Sequence, residues 1–282
     1  MSSKLIIRII FLTVFLIIAG FFISGPIFTN SEIKDKVGQL RAEGSTNEIT
    51  VDFKTKEFQE LPPIVQKHLR NSINVEQVTN KIAIIKLSGE TRHDIGSEWQ
   101  PTDVELYCSL SAPSFVWVAT SEAMTYLWNK TIITFLKNTA TSKVKLLSSI
   151  TTEKTEGVKL SQSSFLYYIL NSVLCPVVLL PSQNTQWTSL EKFKAEVMFW
   201  NKSKNATVTF YFNKSGNVEK VETKDMFMPN LIEAKKAKFS LHLANYKEIG
   251  GYRVPTYLEY QWNLSDGDFS FARFNVKDIT YN

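Results

Sequence analysis

The sequence lacks the short motifs that announce common chemistries: it has no Gly-rich phosphate loop, no nucleophile elbow and no CxxC pair. Nothing in it therefore speaks for a P-loop nucleotidase, an α/β-hydrolase or a thioredoxin-like oxidoreductase. Cysteine is scarce, with Cys108 and Cys175 the only two, in the apolar contexts "LYCSL" and "VLCPVVLL". One disulfide in an oxidising compartment and two buried free thiols both fit those contexts, but neither cysteine has metal-ligand spacing. The three histidines, His68, His93 and His242, are scattered, so neither a metal nor a cofactor is implied. Strong charge is missing too. The formal net charge is +5, and no Lys/Arg stripe interleaves with aromatics, so a nucleic-acid partner is not expected. The cluster "EAKKAKF" near Lys235 reads as a solvated strand or turn.

What the chain does have is apolar mass: 44% hydrophobic and 12% aromatic residues in 282, enough for a large core in one β-rich domain or in two intimately packed halves. The longest apolar run, "IIFLTVFLIIAGFFISGPIF" from Ile9 to Phe28, contains no charge. As a helix rising ~1.5 Å per residue it would cross a ~30 Å hydrocarbon core. Lys4 and Arg8 precede it, which places the N-terminus in the cytoplasm and everything after Asn30 outside. Its length, and Pro26 directly after Gly25, favour a retained anchor over a cleaved signal. The expected organisation is an anchor over 1–30, a juxtamembrane stalk over 31–56 and an exported domain over 57–282. The expected location is a cell membrane crossed once through residues 9–28, with the domain on the periplasmic or extracellular side.

"FQELPPIVQKHLRNSI" puts Pro62 and Pro63 at the first turn of an amphipathic helix, with His68 a partly exposed member. From Lys81 the period becomes two. "VELYCSLS" alternates Val104, Leu106, Cys108 and Leu110 with Glu105, Tyr107 and Ser109, whereas "FVWVAT" is apolar on both faces and must be covered on both by protein, lipid or ligand. "SSFLYYILNSVLCPVVLLP" reads as a buried helix stopped at Pro176. In "YLEYQWNLSDGDFSFARFNV", Asp266 and Gly267 signal a hairpin. A loop of those two residues would pair Leu264 with Phe269, Trp262 with Phe271 and Tyr260 with Arg273, gathering an apolar patch with Arg273 resting on Tyr260. The fold class is thus mainly β (α+β): a curved antiparallel sheet or half-barrel with two capping helices, preceded by one N-terminal transmembrane helix.

Four stretches in this order, "LPPIVQKHL", "WQPTDVELYCSLSAPSFVWVA", "LYYILNSVLCPVVLLP" and "GGYRVPTYLEYQW", resemble a family of uncharacterised bacterial membrane-associated proteins known as a domain of unknown function. The resemblance covers roughly residues 58–282. It implies an antiparallel β domain akin to the curved half-barrels of the LolA and LolB lipoprotein carriers, and brings no established activity. Where members of that family carry a glutamate before the proline matching Pro176, this chain has Asn171.

Groups for catalysis do not gather in the sequence. His93 and Asp94 are adjacent, so on a strand they point apart, and Asp103 and Glu105 are explained equally by the solubility of an edge strand. A hydrolase acting on an envelope glycan or lipid through Asp103, Glu105 or His93 is the alternative reading, and a structural scaffold a third. The leading expectation is a membrane-anchored protein binding a lipid-like ligand or an envelope partner. Phe115, Trp117, Trp200, Tyr260, Trp262 and Phe271 would line the ligand site.

Overall fold

The structure is a computed structural model that describes residues 3–44, 50–77, 81–124, 126–228 and 235–282. Its centre is one antiparallel sheet of thirteen strands built from two meanders. The first comprises β1 (Ile82–Thr91), β2 (Gln100–Ser109), β3 (Phe115–Met124), β4 (Leu127–Leu136), β5 (Thr139–Leu146) and β6 (Ile150–Glu156). The second comprises β7 (Thr185–Glu191), β8 (Lys194–Asn201), β9 (Lys204–Phe212), β10 (Val218–Phe227), β11 (Lys236–Ile249), β12 (Tyr252–Leu264) and β13 (Gly267–Tyr281). β13 pairs with β1, so β6 and β7 are the two edges.

Alternation gives the sheet a dry face. In β2, Val104, Leu106 and Cys108 are buried while Asp103 and Glu105 are exposed on the other side. The dry face is concave. Trp117 on β3 and Phe274 on β13 are three strand positions apart, about 14 Å along a flat sheet, yet their ring centroids approach to 6.2 Å. At Gly89 the curl brings β13 so near that a Cβ would lie 2.0 Å from the Arg273 carbonyl oxygen, which leaves glycine as the residue that fits.

Helices fill the hollow. α1 (Ser3–Gly44) and the short α2 (Lys56–Gln59) come first in the chain; α3 (Pro63–Ser72) and α4 (Val158–Leu170) pack on the concave side. α4 joins the two sheet edges and continues into 3-10 turns at Asn171–Leu174 and Pro176–Leu179. Phe165, Leu166, Ile169, Leu170, Leu174 and Leu179 are completely buried, so this segment is a plug rather than a surface helix. Two hydroxyls pin it: Tyr168 donates to the Ser109 carbonyl at 2.9 Å and Tyr281 to the Leu174 carbonyl at 2.8 Å. Cys108 on the sheet and Cys175 on the plug are buried free thiols. A hydrogen bond with Cys108, together with burial, pushes the Cys175 thiol's pKa up.

α1 differs most from the sequence expectation. One helix runs through the residues assigned to an anchor and most of those assigned to a stalk, and its C-terminal half lies on the convex face of β2, β3 and β4. Ile33 forms a small second core with Val116, Val118 and Ile132, flanked by Val37 and Tyr107. This answers the question posed by "FVWVAT": Phe115 and Trp117 face the hollow, Val116 and Val118 face α1. A stalk would have left Val116 and Val118 in water, and burying them is the physical reason that the helix docks. Gly25 permits the approach, because a Cβ there would lie 1.7 Å from Ser149 Oγ. Beyond it, Thr29 Oγ1 donates to the Ser148 carbonyl at 2.6 Å, and Lys145 Nζ reaches both Thr29 Oγ1 at 2.9 Å and Glu32 at 2.8 Å. Burial alone would raise the Glu32 carboxyl, but the bonds from Lys143 and Lys145 outweigh it and hold its pKa below the ordinary value. Among the described residues no helix is long and apolar enough to cross a membrane; the span expected over 9–28 includes side chains at 14–19 and 21 that lie outside the description.

Three further expectations change. In the last hairpin Leu264 pairs with Gly267, Asn263 with Asp268 and Trp262 with Phe269, leaving Ser265 and Asp266 as the loop. Neither loop residue takes a positive φ; Gly267 does, at 132°, on entering the returning strand. A bulge opposite Tyr260 and Gln261 then leaves Phe271 unpaired. In consequence Arg273 does not rest on Tyr260. It faces the convex side, paired with Glu90 and 4.3 Å from the Trp99 ring centroid. His68 is not partly exposed but buried: α3 turns its Nδ1 to the Gly216 carbonyl at 2.9 Å and leaves Nε2 without a partner. Burial lowers its pKa to about 4, against a smaller opposing effect of that hydrogen bond.

Candidate apolar binding site

The plug covers one end of the hollow and leaves the other half covered. Under the plug, Phe115 lies against Phe135 at 6.0 Å, which meets Phe165 of α4 at 6.2 Å between centroids. The next inward positions along β3 are Trp117 and Ala119, and both are half-buried, as is Ile133 directly across from Trp117 on β4. Tyr167 of α4 and the bulged Phe271 are half-buried on the far side.

Beneath these lies a continuous aromatic floor. Phe239 is its hub, 4.8 Å from Trp262, 5.5 Å from Tyr167 and 5.9 Å from Phe271, and Trp117 meets Tyr260 edge-on at 6.4 Å. Such tilted and edge-to-face contacts suit the ring quadrupoles and fix the walls in place. The Tyr260 hydroxyl donates to Asn171 Oδ1 at 2.6 Å, which ties the floor to the end of α4. Burial pushes the pKa values of Tyr167 and Tyr260 far up, so both stay neutral. A short run of hydroxyls borders the open end. Thr91 Oγ1 is 2.8 Å from Thr102 Oγ1, which donates to Ser121 Oγ at 3.0 Å. The site is thus apolar and aromatic, bordered by these hydroxyls and by Arg92, whose guanidinium lies 5.2 Å from the Phe269 ring centroid.

Five of the six ligand-site residues picked from the sequence come together here: Phe115, Trp117, Tyr260, Trp262 and Phe271. Trp200 does not join them. Ala195, Val197 and Phe199 are the buried set on β8, so Trp200, across from Asn205, belongs to the opposite face. Tyr167, Phe239, Phe274 and Ile133 were missed. Phe239 carried a readable signal, since it opens the buried set Phe239, Leu241 and Leu243 in "AKFSLHLANY". Tyr167 carried none, because α4 is buried on almost every side.

The acidic and histidine candidates stay apart from this hollow. Asp103 and Glu105 are on the convex face, where Glu105 accepts from the Tyr107 hydroxyl at 2.8 Å; His93 and Asp94 are exposed in the β1–β2 loop. Glu259 accepts from Ser270 and Tyr257. Two open polar depressions, of about 510 and 380 Å³, share Asn275 and include Lys247, Glu90 and Arg273 among their walls. Among the described residues no group of three or more His, Cys, Asp or Glu side chains is placed to hold a metal.

Residues 51–274 match the model of a family described as a family of unknown function, DUF6544, in line with the resemblance read from the sequence. No curated protein matches the chain. Among solved structures, it is similar to a LolA superfamily protein from Nitrosomonas europaea, with 11% identity and a TM-score of 0.42 over 78% of this chain and 92% of that one. It is also similar to a β-barrel-like protein of the domain of unknown function DUF1849 from Brucella abortus, with 10% identity and a TM-score of 0.26 over 72% and 98%.

Proposed function

We propose, for a chain that belongs to the family of unknown function DUF6544, that it is a membrane-held binding protein whose curled sheet takes a lipid-like hydrophobic ligand into the hollow beside Trp117. The observation that carries this reading is the half-covered end of the hollow. Trp117, Ala119, Ile133, Tyr167 and Phe271 form one apolar wall that the plug leaves partly in water. Covering such surface is favourable by roughly 25 cal/mol per Å². An unbranched acyl chain is the ligand class that such an aromatic wall suits, with the Thr91, Thr102 and Ser121 hydroxyls offering hydrogen bonds to its polar end. Supporting the membrane part is the N-terminal half of α1, where Leu5, Ile9, Ile10, Phe11, Leu12, Phe22, Ile23, Ile27 and Phe28 are all exposed. A helix that is apolar all round is at home in lipid rather than water. The hydrolase reading has no comparable support, because its candidate residues lie on the convex face and in an exposed loop.

The test is gentle extraction of the full chain and mass spectrometry of co-purifying lipids. The wild type is expected to retain an acyl lipid. Ala119→Trp, which fills the open end without removing a buried side chain, is expected to lose it, and Trp117→Ala to retain less. A wild type free of lipid, or equal recovery from wild type and Ala119→Trp, overturns the reading.

A further inference from the structure

We infer that the end of the sheet carrying the β1–β2, β3–β4 and β5–β6 turns is itself a membrane-contact surface, which enters the boundary between headgroups and acyl chains and turns the open end of the hollow toward the lipid. This rests on the membrane-held reading above and adds to it a second contact, made by strands rather than by α1.

Three observations converge on this end. First, exposed apolar side chains collect there. Among the described residues outside α1, the large exposed hydrophobics are Val75, Ile95, Met124, Tyr126, Leu127, Ile150, Val158 and Leu190. Five of these eight lie in or beside the three turns: Ile95 in β1–β2, Met124, Tyr126 and Leu127 in β3–β4, and Ile150 in β5–β6. Tyr126 is 89% exposed and Met124 70%, a poor arrangement in water and a natural one in an interface where amphipathic aromatics settle.

Second, α1 leaves the domain at this same end. Gly44 touches Ser109 and Ser111 by the β2–β3 turn, while Gly25 and Thr29 touch Ser149 and Ser148 in the β5–β6 turn. The docked part of the helix begins at Gly25, and the apolar run ends at Phe28. The two overlap, so no tether separates the domain from whatever surrounds the run. Lipid that covers Ile27 and Phe28 must reach the level of Ser148, and with it the neighbouring turns, where the Trp128 indole donates to Ser148 Oγ at 3.0 Å.

Third, the half-buried wall opens this way. Along β3 the inward positions pass from Phe115, buried under the plug, to Trp117, Ala119 and Ser121, and the strand ends at Met124. A ligand could then move between bilayer and hollow without crossing water. The charges here are Arg92, Asp94, Glu98 and Glu122, with His93 and, in the adjoining β12–β13 turn, Asp266 and Asp268, which make no basic patch. The contact is therefore one of apolar insertion and needs no anionic lipid.

The full chain, reconstituted into phosphatidylcholine vesicles with brominated acyl chains, tests this. An environment-sensitive fluorophore is placed in turn on Phe11→Cys, Ile95→Cys, Tyr126→Cys and, at the opposite end, Lys214→Cys; the native thiols are buried and stay unlabelled. The expected result is a blue shift and loss of emission at 11, 95 and 126 and no change at 214. Quenching at 11 with none at 95 and 126 overturns the inference and leaves the membrane-held reading standing. No quenching at 11 removes the membrane-held reading and this inference with it. Equal quenching at 126 and 214 overturns the orientation.

Discussion

His68 should make the domain sensitive to mild acid, by an amount that can be worked out. Its Nδ1 proton is committed to the Gly216 carbonyl, and Nε2 faces a dry interior beside Phe212. That hydrogen bond compensates charging of the ring only in part, and burial takes the pKa from 6.5 down to about 4. Because the native value lies below the unfolded one, the unfolded chain takes up the proton first. Stability is complete above pH 6.5 and is lost as the pH falls toward 4. At ~1.36 kcal/mol per pH unit, the loss attributable to this one ring is about 1 kcal/mol near pH ~5.5, grows to about 2–3 kcal/mol near pH ~4.5, and levels off below pH ~3. His68→Gln keeps an N–H for Gly216 and removes the titration. Chemical denaturation of both proteins across this range cancels the carboxylates they share, so the difference between the two stability curves should follow those values. Parallel curves would show that His68 accepts a proton in the native state at no cost, and the reasoning from its burial would fail. An NMR titration of the ring should give a midpoint near 4 in the folded protein.

Other outcomes follow from the packing. Phe165→Ala empties a fully buried site between the plug and Phe135 and should cost about 3–5 kcal/mol in denaturant titration. Gly25→Leu places a side chain where Ser149 stands and should undock α1, read as faster tryptic cleavage at Lys34, Lys36 and Arg41. Burial would raise the Glu222 carboxyl, but bonds from Tyr211, Lys220 and Lys238 prevail and hold it at about 2. Its contribution should persist above pH ~4.5 and vanish toward pH ~2, a limb that Glu222→Gln should flatten in the same titration. Cys108 and Cys175 should be inert to Ellman's reagent in the native protein and react together on unfolding.

The strands were legible because alternation is a local signal. Val104, Leu106 and Cys108 could be assigned to the dry face of β2 from spacing alone. "FVWVAT" showed equally well that Val116 and Val118 needed cover. That α1 supplies it was hidden, because Ile33, Val37 and Leu40 sit among the charges of "SEIKDKVGQLRAEG" and only tertiary contact turns them inward. The last hairpin kept its faces while its register slid by two residues, since Gly267 could serve either in the loop or just after it. The bulge at Phe271 had no signature, and with it went the correct partner of Arg273. Trp200 was misjudged because aromatic content marks apolar surface without saying which face of a strand it occupies. His68 was misjudged because a helix beside two prolines looks peripheral, and the β9–β10 turn that covers it comes from 148 residues away.

The position of β13 carries a consequence for how the molecule comes to exist. Of the thirteen strands of this sheet, the last in chain order lies at its centre, holding β1 on one side and β12 on the other. Until it emerges from the ribosome the chain is two separate ribbons, each presenting an unpaired edge of the kind that invites aggregation. Closure waits for a pairing between segments nearly two hundred residues apart, such as Glu90 with Arg273, so folding should be slow. Removing β13 would unzip the middle of the sheet, not trim its margin.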